Sequence, residues 1–184
     1  MSLPRLAHAT ALVASLLLLG ACERQVSSTP AATKLSVVDL KLPADRFPGI
    51  VEIITKSEVV DDYPLDGEVP GMITTLRRIG VSSSAYYRYL VEVGDGRRLI
   101  KVKINVFDST ATAARDFAQR YGEEFRRDAT ELALGDEGLN RDDNHYAFRV
   151  DHVQIEVRLK DNLALLNAFA KEYEAFAGER LGRQ

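Results

Sequence analysis

The segment YYRYLVEVGDGRRLIKVKINVF, residues 86–107, admits few folds. Along its first arm Tyr87, Tyr89, Val91 and Val93 alternate with Tyr86, Arg88, Leu90 and Glu92. Along its second arm Ile100, Val102, Ile104 and Val106 alternate with Lys101, Lys103 and Asn105. Successive side chains of an extended chain point to opposite sides, so a period of two describes a strand with one buried face. Between the arms lies GDG, and Asp95-Gly96 suits a tight turn because both residue types accept positive φ. A two-residue turn at that dipeptide sets Val91 opposite Ile100 and Tyr89 opposite Val102. The apolar faces then coincide, as burial of one side requires. A lone hairpin is marginal in water, so this one needs further strands and a covering layer.

The remaining pattern supplies both. Tyr146, Phe148 and Val150 are answered by Val153, Ile155, Val157 and Leu159 across a turn at Asp151-His152. That turn pairs Val150 with Val153, Phe148 with Ile155 and Tyr146 with Val157, and Asp and His are among the residues enriched at positive φ. IVEIIT, residues 50–55, reads as a further strand fenced by Pro48-Gly49. Met72, Ile73, Leu76 and Ile79 recur at helical spacing after Pro70, which a first turn tolerates. Ala113, Phe117, Tyr121 and Phe125 form the stripe of a second helix, capped by Asp108 or Ser109. Leu163, Leu166, Phe169, Ala170, Tyr173 and Phe176 form that of a third, capped by Asp161 or Asn162 and ended by Gly178. ELALGDEGLNRDDN, residues 131–144, reads as a loop. The expected fold is α+β: a two-layer sandwich in which helices cover one face of a four- or five-stranded antiparallel sheet. Residues 35–184 suffice for a single domain, burying roughly 70% of the extended-chain surface.

The 184-residue chain has 24 basic and 27 acidic residues, a net charge of −3, and 46% hydrophobic residues. Such a balance excludes a disordered polyampholyte and a chain that wraps nucleic acid, so no nucleic-acid partner is expected.

The N-terminal region is of a different kind. Residues 1–21, MSLPRLAHATALVASLLLLGA, contain an apolar run from Ala9 to Leu19 behind a weakly positive start at Arg5. Crossing a bilayer takes about 20 apolar residues. The shorter run fits the centre of a secretory signal peptide. It ends at Leu19, Gly20, Ala21 and Cys22, the only cysteine of the chain. These four residues resemble the lipobox of bacterial lipoproteins. The resemblance implies that Leu19, Gly20 and Ala21 are read by the processing peptidase and that the Cys22 thiol carries a diacylglycerol as the first residue of the mature protein. It implies too that the new amino group is acylated, which secures anchoring that one acyl chain alone leaves marginal. With Cys22 used in a thioether, the folded part has no cysteine for a disulfide, a thiolate nucleophile or a metal. Glu23 follows; an Asp at that place favours inner-membrane retention in Gram-negative lipoproteins, so the resemblance leans to the outer membrane. Residues 22–34 form the acylated cysteine and a tether of small and polar residues, spanning on the order of 20 Å as a coil. Loss of Arg5 leaves the mature chain more acidic still. Membrane attachment is therefore expected through the lipid and not through a basic patch. The succession FDS, LGDEG and the alternating VQIEV between Tyr86 and Phe176 looks like small secreted α+β lipoprotein domains of unassigned role, a resemblance that implies a fold and no activity.

Candidate sites in the folded part are few. Arg88, Lys101 and Lys103 share the outward face of the first hairpin, with Arg97 and Arg98 nearby, and make a candidate face for an anion, an envelope protein or a glycan. Tyr86, Leu90 and Phe107 on the same side suggest that this face is partly covered, by the early segment or by a partner. Asp136, Glu137, Asn140, Asp142, Asp143 and Asn144 are oxygen-rich, as is Asp61–Glu68, but neither has the ligand spacing of a calcium loop. His145 and His152 sit at opposite ends of the second hairpin, too far apart to share a metal. No G-x-S-x-G, H-E-x-x-H, phosphate-binding glycine loop or dinucleotide fingerprint occurs, so no catalytic residue, metal or cofactor is expected. The reading is a lipid-anchored periplasmic binding or accessory lipoprotein. The alternatives are an envelope hydrolase whose Asp136, Glu137 and His145 meet only in the fold, and a small-ligand carrier with a pocket between sheet and helices.

Overall fold

The computed structural model describes residues 34–59, 71–94, 96–122, 130–142 and 144–183. Leu19, Gly20, Ala21 and Cys22, the Asp61–Glu68 segment, Asp95, Phe125 and Asp143 lie outside them. The elements are β1 (Ile50–Val59), α1 (Gly71–Arg78), β2 (Val81–Val93), β3 (Gly96–Phe107), α2 (Thr110–Arg120), β4 (Thr130–Glu131), β5 (Glu137–Asp142), β6 (His145–Val150), β7 (Val153–Arg158) and α3 (Leu163–Arg180). All strands join one antiparallel sheet in the order β1-β2-β3-β7-β6-β5-β4. The α+β class holds. The sheet has seven strands rather than four or five, because part of the expected loop 131–144 pairs as β4 and β5.

The second hairpin has the expected register, Val150 to Val153 and Tyr146 to Val157, with Asp151 at φ 55° in the turn. In the first hairpin the register differs by two residues. Val93 faces Gly96, Tyr89 faces Ile100 and Tyr87 faces Val102, so the turn falls one residue earlier and uses Gly94 at φ 44°. A slip of two leaves every side chain on its own face, so the alternation alone could not have decided it. The shifted pairing also sets Glu92 opposite Arg97, within 3.4 Å.

One face of the sheet carries Tyr87, Tyr89, Ile100, Val102, Ile104, Phe148, Ile155 and Val157, all fully buried. It packs against Leu166, Phe169, Ala170, Tyr173 and Phe176 of α3 and against Val37, Leu40, Leu42 and Phe47 of the segment before β1. Three tyrosines pin that segment. Tyr173 donates to Leu40 O at 2.8 Å, Leu42 N donates to Tyr89 Oη at 3.1 Å, and the two phenols lie 3.2 Å apart. Tyr87 donates to Glu58 Oε1 at 2.7 Å beside Val37 O. Burial pushes Tyr89 up to about 12 and raises Tyr173 well above the usual phenol range, so both remain proton donors.

The helices do not all cover that face. Phe117 and Tyr121 of α2 pack on Leu139 and Ala147, whose side chains point to the other side, and Gln154 Nε2 there donates to Ala113 O at 2.8 Å. The connection from Phe107 through the Ser109 cap is too short to carry α2 around the sheet edge, so it folds over the near face. A bulge between Val81 and Ser83 turns Val81 to that second side as well, where it joins Phe107, Ala113, Leu76 and Ile79. Phe107 is thus covered by α1 and α2, while the early segment lies on the opposite face. Leu163, expected in the α3 stripe, is 42% exposed, and the helix runs through Gly178 to Arg180, with Gly182 at φ 72° beyond it. None of the described helices is long and apolar enough to cross a membrane.

Candidate functional site

The second face of the sheet is covered by α1 and α2 only toward the end where β2 begins. Beyond the C-terminus of α2 no other described helix covers the strands, and a groove of about 1100 Å³ runs across them. Among the described residues its lining includes Arg97, Arg98, Lys101, Lys103, Arg120, Arg141, Arg158 and Lys160, with Asp142, Glu156 and Asp161. Eight cations against three carboxylates is a local reversal of sign in a chain whose net charge is −3.

Sheet pairing creates this concentration. Lys101 stands opposite Arg158 and Lys103 opposite Glu156 across the β3–β7 pair. His145 stands opposite Arg158 across β6–β7. The turn before β6 and the loop after β7 are tied together by Asn144, which accepts from Leu159 N through its carbonyl at 3.0 Å and from Asp161 N through Oδ1 at 3.2 Å. That clasp holds Asp161 at φ 61° and fixes Lys160 and Asp161 on the rim.

Glu156 is the centre of the floor, with its side chain 13% exposed. Arg158 Nη2 lies 2.8 Å from Oε2, His145 Nε2 lies 3.3 Å from the same oxygen, and Lys103 Nζ lies 4.0 Å from Oε1. Burial raises the carboxyl pKa, but His145, Lys103 and Arg158 outweigh it and hold the group down at about 2. Burial, together with the Glu156 charge, pushes the Tyr121 phenol well up, so it stays a neutral donor beside that carboxylate. Glu156 is thus a fixed anion that positions the surrounding cations. Lys101 and Lys160 have no carboxylate partner among the described residues.

Of the three basic residues marked in the sequence, Lys101 and Lys103 line the groove. Arg88 lies on its margin, opposite Lys101, with its guanidinium 5.9 Å from the Tyr86 ring centroid. Sequence reasoning missed Arg120, Arg141, Arg158, Lys160 and Glu156, which come from other elements. Arg158 and Glu156 alternate outward along VQIEVR, and that signal was there to be read.

The other candidates resolve as structural. Asp136 and Glu137 bind Arg149, whose Nη1 and Nη2 lie 3.2 and 2.9 Å from their oxygens, and Asp136 is also held by Arg183 at 2.8 Å. The Arg183 contact is the main reason the Asp136 carboxyl titrates below the usual range. His145 is buried, not exposed, and lies four residues from Arg149 along β6, so it stands ~13 Å from the Asp136–Glu137 pair. The hydrolytic trio is therefore not brought together. Asp142 accepts from Asn144 N at 3.0 Å. Among the described residues no three His, Cys, Asp or Glu converge as metal ligands.

Comparison with protein-family models, with curated proteins and with solved structures returns no significant match to the chain.

Proposed function

We propose that the chain is a lipoprotein of the bacterial envelope, anchored through acylated Cys22 to the outer membrane and facing the periplasm. Its α+β domain is a binding or accessory module without catalytic machinery, and its contact surface is the basic groove. One observation carries the binding reading: an acidic chain gathers eight cations in one groove of about 1100 Å³ around a fixed Glu156. Like charges repel, and Lys101 and Lys160 have no carboxylate partner among the described residues, which favours an anion as the ligand of this face. The lipid anchor rests on the Leu19–Cys22 motif alone.

Two measurements test the two halves separately. Cys22→Ser moves the protein from the membrane to the soluble fraction, and intact-mass analysis of the native chain finds acyl groups and no residues 1–21. Crosslinking in cells, followed by identification of what is bound, recovers an anionic envelope partner with the native chain and loses it with Lys101→Glu combined with Lys103→Glu. An unchanged set of partners removes the groove reading and leaves the anchor untouched.

A further inference from the structure

Resting on the groove as the binding face, we infer that its ligand is an acidic protein segment that also carries apolar side chains. Two cross-strand pairs at the β2–β3 end of the groove carry the inference. Arg88 stands opposite Lys101, and Leu90 opposite Leu99. All four lie on the second face of the sheet, because they alternate with Tyr87, Tyr89, Val91, Ile100 and Val102, which are buried on the first. Neighbouring strands are ~4.8 Å apart and alternate residues ~7 Å, so two cations and two leucines share one small quadrilateral. Ile54 and Glu52 of β1 stand opposite Arg88 and Leu90 and bound it on the outer side. On the inner side Lys160 follows the end of β7 and lines the groove together with Leu99 and Lys101.

The charges of this patch are not neutralised within the described fold. Lys101 and Lys160 have no carboxylate partner among the described residues, and Arg88 meets the Tyr86 ring, 5.9 Å from its centroid, and no described carboxylate. Beside them Leu99 is 37% exposed. A small anion would use the lysines and leave Leu90 and Leu99 in water, while a purely apolar ligand would strand the lysines. A polypeptide with carboxylate and apolar side chains answers both, and at the same spacing, since its own alternate residues are ~7 Å apart when extended. Arg97 to Lys103 along β3 gives such a segment ~20 Å, room for about six residues. An anionic bilayer surface offers the same two chemistries, but the chain enters the described domain at the other end. Lys34 Nζ lies 3.9 Å from Asp108, just past the end of β3 and ~30 Å along it from Leu99. A lipid on Cys22 therefore tethers the end away from the patch, which favours a protein partner over the bilayer.

Isothermal titration of the purified full-length protein tests this with an eight-residue peptide alternating Glu and Leu, a matching peptide alternating Glu and Ser, inorganic phosphate, and monomeric dihexanoyl phosphatidylglycerol. The Glu/Leu peptide is expected to bind at least about tenfold more tightly than the Glu/Ser peptide, which carries the same charge. Leu99→Ser should bring the Glu/Leu peptide down to the affinity of the Glu/Ser peptide and leave the latter unchanged. Lys101→Glu with Lys160→Glu should weaken both peptides by at least about tenfold. All three side chains are exposed, and an unchanged circular dichroism spectrum certifies the fold. Equal affinity for the two peptides, or phosphate binding as tight as the Glu/Leu peptide, overturns the inference and keeps the groove as an anion-binding face. Tighter binding of phosphatidylglycerol than of either peptide also overturns it, in favour of a lipid surface. No heat with any probe overturns the inference and the groove reading together.

Discussion

Glu156 Oε2 lies 3.3 Å from His145 Nε2 across adjacent strands, beneath the open face of the sheet. The same oxygen takes Arg158 at 2.8 Å, so one carboxylate meets an imidazole nitrogen and a guanidinium from two sides. Its pKa falls from 4.5 in the unfolded chain to about 2 in the folded one. The unfolded state therefore binds the proton more readily, and stability contributed by Glu156 is complete above pH 4.5 and drains away as pH falls toward 2. Glu156→Gln should cost on the order of 3 kcal/mol at neutral pH and flatten the stability profile through that window. Urea denaturation of both proteins between pH 6 and pH 2 reads the difference, and parallel curves would show that Glu156 is not the group responsible.

Arg149 is the buried cation on the same sheet face, its side chain 8% exposed. It joins Asp136, Glu137 and the Asp151 carbonyl, the last at 2.6 Å from Nη1. Arg149→Met should destabilise by about 2 kcal/mol, less than for a fully buried pair, because Asp136 and Glu137 each keep about a third of their surface in water. Asp136 retains Arg183, so Asp136→Asn in the Arg149→Met background should add little beyond loss of that exposed contact. Denaturation of the two single variants and the double variant measures the coupling.

The alternating hairpins and their helices were legible because each states its own face: Tyr87 and Tyr89, Phe148 and Ile155, Phe169 and Tyr173 fell where the period put them. What escaped was information that no local period contains. The two-residue slip of the first hairpin changes no face and depends on which glycine takes the turn. The strand at residues 137–142 shows no alternation, since only Leu139 is buried, and its pairing comes from Gly138 approaching the chain closely. The side chosen by α2 depends on a short connection and not on its stripe. The groove is the sharpest case. Lys101 and Lys103 could be placed on one face from spacing, but Arg120, Arg141 and Lys160 join them only through the strand order that puts β7 and β6 beside β3.

Tyr173→Phe preserves the ring and removes one oxygen. Leu40 O then loses its donor and Tyr89 loses a phenolic partner, both in a buried setting. The cost should be about 1–3 kcal/mol. Its location distinguishes it from general damage: amides of residues 37–42 should exchange faster, while those of β7 keep their protection. Uniform acceleration across both would show that the early segment is not held by this oxygen.

Gly138 tests whether the strand that the sequence concealed depends on close approach. A Cβ there would stand 2.7 Å from Leu132 O and 2.8 Å from Leu134 O, both backbone atoms with no rotamer to change. Gly138→Ala must push residues 132–134 away from β5, and the Leu132 N to Gly138 O hydrogen bond of 2.9 Å goes with it. The expected loss is about 1–3 kcal/mol. Gly94→Ala provides the contrast. That glycine has φ 44° but nothing within 4 Å of a Cβ, so only the left-handed backbone opposes the change, at about 1 kcal/mol. Urea midpoints at constant m-value should rank Gly138→Ala below Gly94→Ala, and exchange at the Leu132 amide should rise only in the former. The reverse ranking would mean that residues 132–134 yield readily and that β4 and β5 are not set by the missing side chain.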